Sequence, residues 1–425
     1  MLNNLRKRLA RSEEKQRLLS NTSSLVALQG VNYLLPLLTL PYLVRVLGPE
    51  HFGLLAFATA LITYFVLLTD YGFNLSATRQ ISLHRDDKDK VIEIFSSVMM
   101  IKAFLMVISF CLMVLLVFGI DQFRGNWQIY LTTFGIVIGQ VLFPAWLFQG
   151  LERMKYITYY NILAKALFTG CIFIFVKNQS DYLLVPVFTS LGFIVAGLFS
   201  LYFIRKEFNV SFQFQAFDVL NFQLAEGWHV FLSSLAISLY TISATVILGL
   251  FASSTVVGYF AAADRIVQAV KGIYSPVSQA IYPLASKKFH ENRSEGLAFI
   301  KQLTKFVGLG MLALSVILFL FSDAIVVLIL GEQYRSSIIL LRIMAFLPFI
   351  IALSNIFGIQ VMLNLGYKQA FSAIAVAAAV LGLSLNLVLV PVYKSVGTAA
   401  ALLLVEVFVT FSMFFYLKIK FRENS

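Results

Sequence analysis

Runs of 20 or more mostly apolar residues recur along the whole chain, at roughly 19–44, 52–72, 95–119, 127–150, 157–176, 182–204, 230–251, 255–282, 303–321, 337–362, 370–391 and 396–417. About 20 such residues are needed for a helix to cross the hydrocarbon core of a bilayer. Only helices and closed barrels satisfy every backbone group in lipid, and barrel strands are alternating segments of about ten residues. The expected fold is therefore all-α and membrane-embedded, with about twelve transmembrane helices. Composition matters at one point: only 13% of the residues are charged, about half of what a soluble surface carries. The stretch between 321 and 337, with a short apolar run from Ile325 to Leu330, is expected to be a loop with a partly embedded segment.

The lysines and arginines give the orientation. With the N-terminus inside, the cytoplasmic segments hold twenty-three of them and the external segments five: Arg45, Arg124, Lys177, Arg335 and Lys394. This positive-inside bias predicts that both termini are cytoplasmic. It also explains the net charge of +12 without a nucleic-acid partner. The longest break between runs, 205–229, holds a polar segment and then a stretch patterned as an amphipathic interfacial helix. The chain then divides into a basic N-terminal segment (1–18), a six-helix bundle (19–204), a linker (205–229), a second six-helix bundle (230–417) and a short tail (418–425). Gly53-Leu-Leu-Ala-Phe-Ala and Gly258-Tyr-Phe-Ala-Ala-Ala open the second and eighth runs as a faint internal echo, as in repeat-built transporters.

Several chemistries are excluded. No G-x-x-x-x-G-K-[ST] phosphate loop occurs. Cys111 and Cys171 lie within apolar runs, and the four histidines have no ligand spacing, so no metal or cofactor is expected.

The remaining five basic residues, Lys102, Lys165, Arg265, Lys271 and Arg342, fall inside the runs, with Asp70, Asp264 and Glu406. A charge at mid-bilayer costs about 2.5–3.5 kcal/mol on insertion scales and faces a cavity or a partner. The eighth run is the richest. Asp264, Gln268, Lys271, Ser275 and Ser278 are spaced 4, 3, 4 and 3, which puts them on one helix face, beside Arg265 and opposite Ile266, Val270 and Ile273. Milder stripes occur in the first run (Gln29, Asn32, Pro36, Thr39), the second (Thr59, Thr63, Asp70, Asn74) and the seventh (Ser234, Ser238, Thr241, Thr245). Five cations against three carboxylates favour an anionic, phosphate- or carboxylate-bearing cargo. Each charge also has a structural reading: Asp264 can pair with Arg265 or Lys271, Lys102 and Lys165 can snorkel, and Glu406 can pair with a neighbouring cation. Gly135-x-x-x-Gly139 allows close helix approach.

The sequence resembles the O-antigen and polysaccharide repeat-unit flippases (Wzx type) of the multidrug/oligosaccharidyl-lipid/polysaccharide exporter superfamily. The likeness is carried by Tyr71-Gly-Phe-Asn-Leu-Ser-Ala-Thr-Arg79, Phe143-Pro-Ala-Trp-Leu-Phe-Gln-Gly-Leu-Glu-Arg-Met-Lys155, Ala263-Asp-Arg-Ile-Val, Ser275-Pro-Val-Ser-Gln-Ala-Ile-Tyr-Pro283, Leu341-Arg342 and Leu353-Ser-Asn355. The resemblance implies a transporter in the bacterial inner membrane that moves undecaprenyl-diphosphate-linked oligosaccharide outward by alternating access through a central cationic cavity. It implies Arg265 and Lys271 as cargo contacts, with Gln268, Lys102, Lys165 and Arg342 as further candidates. It makes Asp264 a charge partner or coupling carboxylate, a role also open to Asp70 and Glu406. Implied partners are the lipid-linked cargo, membrane lipid, a proton or sodium ion, a polysaccharide polymerase and a chain-length regulator. Some members of the superfamily have fourteen spans, and this chain stops at twelve.

Two other classes compete. A small-solute or drug exporter of the same superfamily would carry the opposite charge bias if its substrates were cations. A membrane polymerase or ligase would need a large external loop bearing Arg or His, and every external segment here is short. The expectation is a transporter, not an enzyme.

Overall fold

The computed structural model describes the backbone of residues 2–423. It describes the side chains of 35–153 and 161–422, except 236, 237, 240, 276, 279, 280 and 283. Gln29, Asn32, the basic residues of 1–18, Met154, Lys155 and Pro283 lie outside the described side chains. Among the described residues every regular element is helical and no strand occurs. Seven described helices are long and apolar enough to cross a membrane.

The chain forms two compact units, 1–35 with 61–235, and 36–60 with 236–425. Helix α1 (Leu2–Asp70) contributes to both. At 69 residues it would measure about 100 Å if straight, some three times the hydrocarbon core. Gly48, at φ 71°, turns it where a side chain would resist, and Pro49 follows.

In the first unit, α1 ends at Tyr71 and Gly72, both with positive φ (45° and 79°). Then come α2 (Phe73–Leu83), α3 (Lys88–Gly119), α4 (Trp127–Leu142), α5 (Ala145–Gly150), α6 (Met154–Phe175), α7 (Leu184–Glu207) and α8 (Phe217–Thr241), whose last residues, from 236, belong to the second unit. Asp87 caps α3 by accepting the Lys90 N–H at 3.1 Å, which satisfies one of the free donors of the first turn. Helices α4 and α7 approach through small residues. A Cβ on Gly139 would meet the Phe193 side chain and the Ile194 nitrogen, and one on Gly197 would meet Leu142. Gly135 likewise abuts Ser190, whose hydroxyl donates to the Thr132 carbonyl at 2.6 Å. The Gly135-x-x-x-Gly139 pattern thus serves packing within the chain. Short α2 and α5, which carry two of the stretches quoted above, pack on each other. Gly150 leaves room for Ile81, and the Thr78 hydroxyl donates to the Trp146 carbonyl at 3.2 Å.

The linker departs from expectation in one respect. Its polar part, 209–216, is non-helical and lies along α3, where the Ser96 hydroxyl accepts the Gln213 N–H at 3.0 Å. The amphipathic stretch that follows is not a separate interfacial helix but the first turns of α8, which runs unbroken to Thr241. Gln223 on it is buried and bonded to Gln80 at 2.9 Å, while Asn221, Glu226 and His229 are exposed.

The second unit contains α9 (Ser243–Phe251), α10 (Ser254–Glu291), α11 (Arg293–Leu320), α12 (Ser337–Met344), α13 (Leu347–Asn355) and α14 (Lys368–Glu423). Helix α14 is broken at Lys394, φ 48°, just after Pro391. Residues 322–334 are not a loop. They form a short helix, a π-helical turn (Val326–Leu330) and a 3₁₀ turn (Glu332–Tyr334), with Val326, Leu330 and Tyr334 fully buried. The Val44 carbonyl accepts Gln333 Nε2 at 2.9 Å, and the Arg45 guanidinium donates to the Leu328 carbonyl. These bonds fasten the segment to the 36–60 hairpin.

Candidate functional site

Each unit holds a set of membrane-embedded charges. In the first, Asp70 is the last residue of α1, and the Tyr71–Gly72 break turns the chain immediately after it. The break is clamped by α8: the Tyr71 ring stacks on Phe231 at 4.9 Å and 11°, and Gly227 gives the Tyr71 carbonyl room. Held there, Asp70 accepts Asn74 Nδ2 at 2.7 Å on one oxygen and Lys102 Nζ at 3.1 Å on the other. Lys102 reaches it from α3 with its side chain 4% exposed, against 24% for Asp70. Sequence reasoning lists these residues separately, as a cargo contact and a charge partner. The structure makes them one ion pair. Lys165, half-buried on α6, places its ammonium 5.4 Å from the centre of the Phe193 ring.

In the second unit the polar face of α10 is present, but it is used differently along its length. Near its start, Asp264 accepts Gln268 Nε2 at 3.4 Å, a weak bond. Arg265 beside it is exposed. Lys271, two turns on from Asp264 on the same helix, is half-buried, as is Glu406 on α14. Among the described residues none of these three charges lies within ion-pair distance of another. Farther along, the stripe becomes packing. Ser278 donates to Asn355 Oδ1 at 2.7 Å and accepts from Gln360 Nε2 at 3.1 Å, and Ser286 donates to Asn364 Oδ1 at 2.6 Å. The face opposite the stripe is not uniformly buried: Ile266 is, but Ile273 is 56% exposed.

Arg342 is held elsewhere. Its guanidinium donates to the Ser322 hydroxyl at 2.8 Å and pairs with Asp323. Sequence reasoning missed this partner because Asp323 falls in the stretch taken for a loop. With Asp323 counted, the excess of cations over carboxylates falls from two to one. Two of the five cations, Lys102 and Arg342, are engaged by a carboxylate at contact distance. Arg265 and Lys271 have no carboxylate at ion-pair distance among the described residues.

No group of three or more metal-ligating side chains occurs among the described residues. The arrangement offers charge and hydrogen bonds.

Residues 18–289 match the polysaccharide biosynthesis protein family. A protein of Escherichia coli (strain K12) named "Putative O-antigen transporter" is 38% identical over 398 residues, 94% of this chain and 96% of that one. The chain belongs to the polysaccharide biosynthesis protein family. A Shigella dysenteriae protein of the same name is 29% identical over 92% of this chain and 98% of its own length. Among solved structures, a multidrug resistance MATE transporter of the MOP superfamily in an inward-facing conformation superposes with a TM-score of 0.70 at 15% identity, covering 91% of this chain and 94% of that one. The lipid II flippase MurJ in an inward closed conformation superposes with a TM-score of 0.69 at 11% identity, covering 93% and 87%. The fold is the one that these solved transporters share, and both sequence relatives carry the name transporter.

Within this family framework, the matched region contains Asp70, Lys102, Lys165 and the whole Asp264–Lys271 stretch. Arg342 and Glu406 lie beyond it. Of the stretches first read as family-like, the ones that touch each other are remote in sequence: Thr78 with Trp146, and Ser278 with Asn355.

Proposed function

We propose that this protein is a flippase, moving undecaprenyl-diphosphate-linked oligosaccharide from the cytoplasmic to the periplasmic leaflet of the inner membrane. It does so by alternating access, with twelve spans and both termini inside. The observation that carries the reading is the placement of Arg265 and Lys271 on one stretch of α10, two membrane-embedded cations with no carboxylate at ion-pair distance among the described residues. An ammonium with no carboxylate in contact can take a diphosphate oxygen as its partner. Arg265, exposed one residue from Asp264, supplies a second, planar donor suited to phosphate. The relatives named as O-antigen transporters support the cargo class, and the likeness to a lipid II flippase supports a fold able to carry it.

The Asp70–Lys102 pair and the Asp264 and Glu406 carboxylates are the groups that would sense a coupling proton or sodium ion. A polymerase and a chain-length regulator would take over the flipped unit. The test is a liposome flipping assay with a defined lipid-linked oligosaccharide, run with and without proton and sodium gradients. Flipping that depends on Lys271 supports the reading. Efflux of small cationic solutes without flipping would replace it with the drug-exporter alternative.

A further inference from the structure

The second unit carries a groove of 860 Å³ along α11, α13 and α14 that the charge sets do not touch. Its walls are apolar, with Leu309, Leu312, Phe349, Leu353, Phe357 and Phe414 among them. Three lysines, Lys301, Lys305 and Lys418, line it toward the start of α11 and the end of α14. All three are exposed, and none forms an ion pair among the described residues. At their end the groove is closed by Phe421, whose ring takes the Arg293 guanidinium at 5.6 Å. The one hydroxyl on that stretch, Thr304, donates to the Ile300 carbonyl at 2.8 Å. The groove is thus cationic at one end and oily along the rest.

We infer that this groove binds one anionic phospholipid, its phosphate among Lys301, Lys305 and Lys418 and an acyl chain along the phenylalanine-lined wall. Charge complementarity selects the head group: a zwitterionic lipid brings no net charge to three unpaired ammonium groups, whereas each lysine near an anionic headgroup adds attraction. Length selects the chain. From Lys301 to Leu312 the helix rises about 16 Å, about the depth of one leaflet's hydrocarbon. An acyl chain ends there, whereas a 55-carbon prenyl chain overruns it. The site is separate from Arg265 and Lys271, and the inference does not depend on the cargo being a glycolipid.

The experiment is native mass spectrometry of the full-length protein titrated with phosphatidylglycerol, phosphatidylcholine or undecaprenyl phosphate. It is repeated on the Lys301→Gln/Lys305→Gln/Lys418→Gln variant and on Leu353→Trp, which fills the groove with the lysines intact. Wild type should bind phosphatidylglycerol about tenfold tighter than phosphatidylcholine. The triple variant should lose that preference, and Leu353→Trp should lose the tight-binding equivalent altogether. Both variants should keep the wild-type melting temperature in phosphatidylcholine nanodiscs. An unchanged preference in the triple variant overturns the inference. So does undecaprenyl phosphate displacing phosphatidylglycerol at equal concentration, which would make the groove a site for the cargo's lipid.

Discussion

Lys102 Nζ stands 3.1 Å from Asp70 Oδ1, with the lysine side chain almost wholly removed from solvent. Removing one partner of such a pair strands the other, at a cost of about 3–5 kcal/mol when both are buried. Asp70 keeps some exposure, so the lower end applies. Asp70→Asn and Lys102→Met should each lower the melting temperature in detergent. The double variant should melt above either single one, because it leaves no lone charge. Strict additivity in this cycle would show that the two side chains do not interact.

Lys271 can meet cargo or balance the carboxylates Asp264 and Glu406, so its loss can act in two ways. Complementation of a flippase-deficient strain by Lys271→Ala should fail at normal expression, and Lys271→Arg should retain partial function. Adding Glu406→Gln to Lys271→Ala removes a carboxylate that lost its cation. If Lys271 contacts cargo, this second change restores nothing. Recovery of transport would reduce Lys271 to a charge partner.

Gly258 packs so closely on the 36–60 hairpin that a Cβ would overlap the Pro49 carbonyl oxygen, while one on Gly53 would meet the Gly258 nitrogen. Alanine at Gly258 gains up to about 1 kcal/mol in helix propensity but overpacks a backbone contact at about 1–3 kcal/mol. Gly258→Ala should therefore lower the melting temperature. Gly310 on α11 has nothing within 4 Å of its would-be Cβ, and Gly310→Ala should raise it. Thermal melts of the two variants side by side check the opposite signs.

Asp181, in the turn before α7, accepts the Lys177 and Asn178 backbone N–H groups at 2.9 and 2.8 Å. These bonds hold its carboxyl below the ordinary value of 3.8. A depressed carboxylate stabilises the folded state above the unfolded pKa, and that stabilisation is lost as pH falls through the folded one. Asp181→Ala should thus melt below wild type at pH 7, with the gap narrowing below about pH 4. A gap that stays constant down to pH 3 would mean that the carboxylate's charge is not what matters.

Much of the fold was legible because solvation by lipid is a local property. Twenty apolar residues declare a spanning helix whatever surrounds them, and seven described helices are long and apolar enough to span, though the expected runs 127–150, 230–251 and 337–362 are each broken into two or more helices. The same local logic misled at 321–337. There, burial of Val326, Leu330 and Tyr334 depends on the hairpin 280 residues earlier, which Arg45 and Gln333 fasten to it. The α10 stripe was visible from its spacing, but its division into charges and packing hydroxyls was not, since Asn355 and Gln360 lie on other segments.

By itself the sequence determined an all-helical membrane chain, a set of charges placed inside its helices, and one helix with a polar face. It also held the echo of Gly53 and Gly258 without saying that the two residues meet. The tertiary structure alone decided the partners: Lys102 with Asp70, Arg342 with Asp323, and Gly258 against Pro49. The physical reason is range. Hydropathy sums over neighbours in the chain, whereas an ion pair or a glycine contact depends on a few ångströms between segments that only packing brings together.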